Sequence, residues 1–146
     1  MAVKTQPDGY HTVTPYLVVD DVARLIAFLE QVFDGEVTEC MKQEDGTINH
    51  AEVQLGDSKV MMGQARGEHP AMPAMLYVYV DDVDATYKRA LDAGAASVRE
   101  PTDEFYGDRS GGVNGPCGNQ WWMATHKEDV SPDEMQRRAA AKYSGG

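Results

Sequence analysis

"YLVVDDV" at Tyr16–Val22 and "YVYVDDV" at Tyr77–Val83 are nearly the same text, written twice 61 residues apart. Each runs from aromatic and β-branched residues, the material of a strand, into paired aspartates and then a helical pattern. In the first copy Asp20 or Asp21 caps a helix whose apolar residues Val22, Leu25, Ile26, Leu29 and Phe33 recur at helical spacing, and Gly35 ends it. In the second, Asp81 or Asp82 caps a helix with Val83, Tyr87, Ala90 and Leu91 on one face, and Gly94 closes it. Three strands are predicted after each helix: Val37–Gln43, Ile48–Leu55 and Lys59–Gln64 after the first, joined by "EDGT" and "GDS", and Ala96–Glu100, Tyr106–Ser110 and Asn119–Thr125 after the second. The polar segment "ARGEHPAMP", Ala65–Pro73, links the halves.

The sequence therefore predicts an α+β chain of two βαβββ modules forming a concave cup, in one domain. Module one spans about residues 12–64, the linker 65–73 and module two about 74–126. A further helix follows over about 131–143, with Ser131 as N-cap, Pro132 at the first helical position and Glu134 placed for a capping box. It leads to a flexible "SGG" end and either docks, frays or serves a dimer contact.

A chain of 146 residues buries a real core, and 13 Lys plus Arg against 24 Asp plus Glu leave a formal net charge of −11. That charge repels polyanions, so no nucleic-acid partner is expected. The opening "MAVKTQPDGYHTV" lacks the apolar stretch of a signal peptide and no window approaches a bilayer span, so the expectation is a soluble cytoplasmic protein with no membrane partner. Cys40 and Cys117 read as free thiols.

The paired modules, together with "YGDRSGGVNGPCGNQWWMATHKEDVSPDEM" at Tyr106–Met135, resemble the vicinal oxygen chelate superfamily (glyoxalase/bleomycin-resistance/dioxygenase), and within it the PhnB-like branch. Over Gly115, Pro116, Cys117, Gly118 and Asn119 the branch usually carries Asp, Pro, Phe, Gly and His, so the chain departs from it at Gly115, Cys117 and Asn119, and also at Leu29, where the branch usually has tyrosine. The resemblance implies a metal site with one ligand on each of four strands, at Thr14, near Met62, at Met75 and at Trp122. Zinc, iron, manganese and nickel need imidazole, carboxylate or thiolate, so no metal and no cofactor are expected. It also implies a homodimer, since such modules commonly complete the cup across chains.

In such a fold each sheet turns one face to its helix and the other to the cup, and alternation sorts the residues. Leu17, Val19, Ala51, Val53, Leu55, Leu76, Val78 and Val80 belong against the helices. Thr14, Tyr16, Val18, His50, Glu52, Gln54, Met75, Tyr77, Tyr79, Gln120, Trp122 and Ala124 belong to the cup, and Trp121 to the core. Ligand contacts are expected from Tyr16, Met62, Met75, Tyr77, Tyr79, Gln120 and Trp122, a lining suited to a flat or apolar small molecule unless the same residues simply fill the cup. Arg109 either forks onto a ligand anion or pairs with Asp108 to pin its turn. His50 and Glu52 share a strand face, so they form either a proton-moving pair, with His50 as general base, or a hydrogen-bonded polar face. His11, His69 and His126 are expected at the surface.

Three functions compete. The first is a metal-independent small-molecule-binding protein, the second a lyase or isomerase using His50 and Glu52, and the third, disfavoured by the ligand positions, a metal-dependent glyoxalase- or dioxygenase-like enzyme.

Overall fold

A computed structural model describes residues 2–144. In chain order the elements are β1 (Tyr16–Val19), α1 (Val22–Phe33), β2 (Glu36–Lys42), β3 (Ile48–Leu55), β4 (Ser58–Gln64), β5 (Met75–Tyr79), α2 (Val83–Asp92), β6 (Ala96–Asp103), β7 (Asp108–Asn114), a 3-10 turn (Pro116–Gly118), β8 (Gln120–His126) and α3 (Pro132–Ser144). The strands form two four-stranded sheets, ordered β1-β4-β3-β2 and β5-β8-β7-β6. In each sheet the first strand lies parallel to the last and the other pairs are antiparallel. The repeated text thus starts two copies of one βαβββ unit. One compact unit holds the chain through Ala74 together with Gly115–Asn119, and the other holds Met75–Asn114 and the chain from Gln120 onward.

In the first unit α1 starts where the Asp21 side chain accepts from Arg24 N–H at 3.1 Å. Its apolar stripe is fully covered, with Leu25, Leu29 and Val32 at 0% exposure. The stop differs from expectation. Asp34, not Gly35, takes the left-handed conformation, φ 54°, a region that aspartate tolerates better than most residues. Gly35 is needed for space, because a Cβ there would lie 2.8 Å from Val53 Cγ1.

Strand register sorts the faces. Leu17, Ala51 and Met62 lie in one row, and Val53 pairs with Val60; all five are buried beneath α1. Met62, expected among the ligand contacts, is therefore a core residue at 0% exposure, and Met61 takes the opposite face between Tyr16 and Glu52.

In the second unit α2 is capped by Asp82, which accepts from Ala85 N–H at 3.2 Å, and closes on Gly94 at φ +97°. The row Leu76–Trp121–Val113 lies on the core side, with Trp121 and Val113 fully buried. The glycine-rich "GGVNGPCGN" is divided, since β7 continues through Asn114 and only Gly115–Asn119 turn. Gly112 belongs in the strand for a packing reason. It sits opposite Trp122, whose Cε2 would be 2.6 Å from an added Cβ.

α3 begins as its sequence predicts, with Ser131 Oγ accepting from Glu134 N–H at 3.2 Å. It buries no residue. Polar contacts hold it instead: the Arg138 guanidinium donates to Phe105 O at 3.1 Å and to Glu128 Oε1 at 2.6 Å, and Tyr143 meets Phe105 edge-on at 6.1 Å. Of the "SGG" end, Ser144 closes α3, and Gly145 and Gly146 lie outside the described residues.

Candidate functional site

On the sheet faces turned away from the helices, each unit carries a buried carboxylate surrounded by hydrogen-bond donors. In the first unit this is Glu52, 5% exposed. Two residues separate it from His50 on β3, so both side chains share a face and His50 Nε2 lies 2.9 Å from Glu52 Oε2. Tyr10, from the segment before β1, donates its hydroxyl to Glu52 Oε1. Burial pushes the Glu52 carboxyl up, but the hydrogen bonds from His50 and Tyr10 outweigh it and hold the group below the usual carboxylate range. The same bond, helped by some burial, raises the Tyr10 phenol to about 12. An ionised carboxylate only accepts, so a neutral His50 carries its proton on Nε2 and leaves Nδ1 as an acceptor, with Tyr16 OH 3.3 Å away.

In the second unit the hub is Asp108, 3% exposed. It accepts from Tyr77 OH at 2.7 Å, Tyr79 OH at 2.9 Å and His126 Nδ1 at 2.8 Å, and His126 Nε2 reaches Asp129 at 2.7 Å. Burial acts against the Asp108 charge, and the bonds from His126, Tyr77 and Tyr79 overcome it to depress the carboxyl. Burial first, then Tyr106 and Asp108, raises Tyr77; the bond to Asp108 raises Tyr79. Asp108 and then Asp129 raise His126. His126 was expected at the surface only; it is exposed, yet it closes this network.

Arg109 does not pair with Asp108. Alternation along β7 sends it to the α2 side, where it binds Asp84 through two bonds of 3.0 Å and Asp103 at 3.2 Å. A wide-mouthed hollow of about 530 Å³ opens beside it. Of the acids lining it, Asp84 and Asp103 are matched by Arg109, Glu104 by Arg99, Glu128 by Arg138 and Asp108 by His126, and Lys127 also lines it.

The remaining expected contacts fall on the open faces. Tyr16 pairs across Met61, and Tyr77 pairs with Trp122, whose ring N–H donates to Gln120 Oε1 at 3.1 Å. Met75 stands opposite Gln120. Tyr77 and Tyr79 meet edge to face, with centroids 5.4 Å apart. Sequence reasoning missed Tyr10, Tyr106 and His126 as network members and saw Asp108 only as a partner for Arg109. The one signal in the sequence was Tyr106 two residues before Asp108; nothing in the sequence links Tyr10 to Glu52.

The positions where the resemblance implies metal ligands are Thr14, just before β1, the neighbourhood of Met62, Met75 and Trp122. Among the described residues no group of three or more His, Cys, Asp or Glu is arranged to hold a metal ion. The donor set does not fit the family's usual metal.

A family model described as the Glyoxalase/Bleomycin resistance protein/Dioxygenase superfamily matches residues 10–123. An uncharacterised protein of Mycobacterium bovis is 31% identical, with 99% of this chain and 100% of that one covered. The crystal structure of TioX from Micromonospora sp. ML1 superposes with a TM-score of 0.67 at 27% identity, over 80% of this chain and 98% of that one. TnmS3 from Streptomyces sp. CB03234, described as an antibiotic binding protein, gives a TM-score of 0.64 at 19% identity, over 87% and 99%. The twice-written βαβββ unit and the family match agree, and the chain belongs to the glyoxalase/bleomycin-resistance/dioxygenase superfamily.

Proposed function

We propose that the chain is a small-molecule-binding protein of this superfamily that holds a flat, partly aromatic compound without the family's usual metal. One observation carries the reading. Aromatic and thioether side chains on the sheet faces away from the helices stay exposed, Tyr16 at 52% in the first unit and Met75 at 64%, Tyr77 at 41% and Tyr79 at 64% in the second, where core packing would bury them. TnmS3 being an antibiotic binding protein supports the same class. Calorimetric titration with a flat aromatic probe such as 2-naphthol tests the reading. Saturable binding that weakens in Trp122→Ala is expected, and no binding by wild type at millimolar probe would end it.

The 2.9 Å contact between His50 and Glu52 favours a second reading, a metal-independent lyase or isomerase. Glu52 orients the ring, and Nδ1 takes a proton from a substrate. Turnover of an enolisable substrate by wild type that is lost in His50→Ala supports this; turnover unchanged by that substitution excludes it.

A cytoplasmic homodimer completes the proposal. No helix among the described residues is long and apolar enough to cross a membrane.

A further inference from the structure

We propose that Asp108 sets the ligand class of the second unit's open face. By taking the hydroxyl protons of Tyr77 and Tyr79, it leaves their oxygens as acceptors, and the face selects an aromatic molecule that brings its own O–H or N–H donor. The proposal rests on the binding reading above and goes further, to the chemistry of what is bound.

An ionised carboxylate has no proton to give, so every bond to Asp108 runs inward. Oδ2 takes Tyr77 at 2.7 Å and Tyr79 at 2.9 Å, and Oδ1 takes His126 at 2.8 Å. With its proton committed, Tyr77 can meet the Tyr106 hydroxyl, 3.3 Å away, only as acceptor. Direction is thereby fixed along the whole chain of hydroxyls. Tyr79, 64% exposed, then offers solvent an oxygen with lone pairs and no free proton, and Tyr106 does the same at the end of its chain. The Trp122 N–H is likewise spent on Gln120.

The charges around the face point the same way. Arg109 lies on the α2 side, held by Asp84 and Asp103. Arg99, opposite Gly112 on β6, is 3.0 Å from buried Glu104. His126 sits between Asp108 and Asp129. An incoming carboxylate would meet the buried Asp108 anion and hydroxyl acceptors, with the Gln120 amide N–H groups as donors on this face, and these guanidinium groups are already paired. The first unit is wired alike, with Glu52 taking the protons of Tyr10 and His50 and leaving His50 Nδ1 as acceptor.

The test is calorimetry on the full chain with three probes of one shape: 2-naphthol, which donates, 2-methoxynaphthalene, which does not, and 2-naphthoate, an anion. Wild type should bind naphthol about fivefold more tightly than the methyl ether, the yield of one net hydrogen bond, and naphthoate most weakly. Tyr79→Phe removes an outward acceptor and should bring the naphthol-to-ether ratio toward one. Asp108→Asn should relieve the penalty on naphthoate. In that variant Tyr79, which Asp108 raises first, should also ionise at lower pH than in wild type by ultraviolet absorbance, while Tyr77, raised first by burial, falls only in part and Tyr10 stays resistant. If Asp108→Asn fails to fold, Tyr79→Phe decides. Failure of all three probes to bind wild type would remove the binding reading itself. Binding of the ether or naphthoate as tightly as naphthol, or a ratio unchanged in Tyr79→Phe, would leave binding intact and overturn the role of Asp108.

Discussion

Trp121 and Trp122 are chain neighbours with opposite surroundings, because successive strand residues face opposite ways. Trp121 is fully buried opposite Val113, and Trp122 lies on the open face over Gly112. Trp121→Ala should cost about 3–5 kcal/mol in chemical denaturation, the range of large-to-small core changes. Trp122→Ala should cost clearly less. Gly112→Ala should displace the Trp122 ring, lowering stability and changing near-ultraviolet dichroism, since its Cβ would stand 2.6 Å from that ring. This pair was legible in the sequence because alternation alone separates adjacent residues. Met62 was not. Met61 and Met62 are both apolar, so composition does not say which of them faces the helix, and only the pairing of Met62 with Ala51 and Leu17 decides. Arg109 was equally illegible, since its partner Asp84 comes from another element, 25 residues away.

At the scale of elements, the link between β7 and the end of β8 has a pH signature. His126 is raised by Asp108 and Asp129, so its contribution to stability is full below its unfolded value, near 6.5, and fades as pH rises through the higher folded value. Asp108 is depressed, so its contribution is present above the unfolded value of 3.8 and is lost as pH falls through the lower folded one. Denaturation midpoints should therefore form a plateau between roughly pH 4 and 6.5 that falls away on both sides, and His126→Gln should flatten the alkaline side. The helix α3 is held by caps and ion pairs rather than burial. Ser131→Ala should lower its stability by about 1 kcal/mol, seen as faster amide exchange in α3 with the sheets unchanged. Here the sequence was informative about the element and silent about its attachment. Ser131, Pro132 and Glu134 announce the helix start, whereas the anchor is a backbone carbonyl, Phe105 O, which no side-chain pattern reveals.

For the whole molecule, the repeated strand–aspartate–helix text was enough to predict two βαβββ units, because cap, stripe and stop recur in the same order. Around Glu52 only the His50 partner was legible, and the network around Asp108 escaped notice, because Tyr10 precedes β1 and His126, the last residue of β8, lies one residue beyond the strand predicted over Asn119–Thr125. Elemental analysis of the purified protein should find no stoichiometric zinc, nickel, iron or manganese; near one equivalent per chain, lost on His50→Ala or Glu52→Ala, would contradict the donor argument. Light scattering at micromolar concentration should give the dimer mass, and the monomer mass would remove that part of the proposal.

The central claim is that the exposed aromatic face binds a small molecule, and the most direct measurement is a calorimetric titration of 2-naphthol into wild type and Trp122→Ala, paired with thermal melts of both. The account predicts that the substitution weakens binding about tenfold, consistent with the loss of one large ring contact, while the melting temperature falls far less than in Trp121→Ala. Equal affinity in the two proteins, with Trp122→Ala melting as early as Trp121→Ala, would show that the tryptophan supports the core and binds nothing.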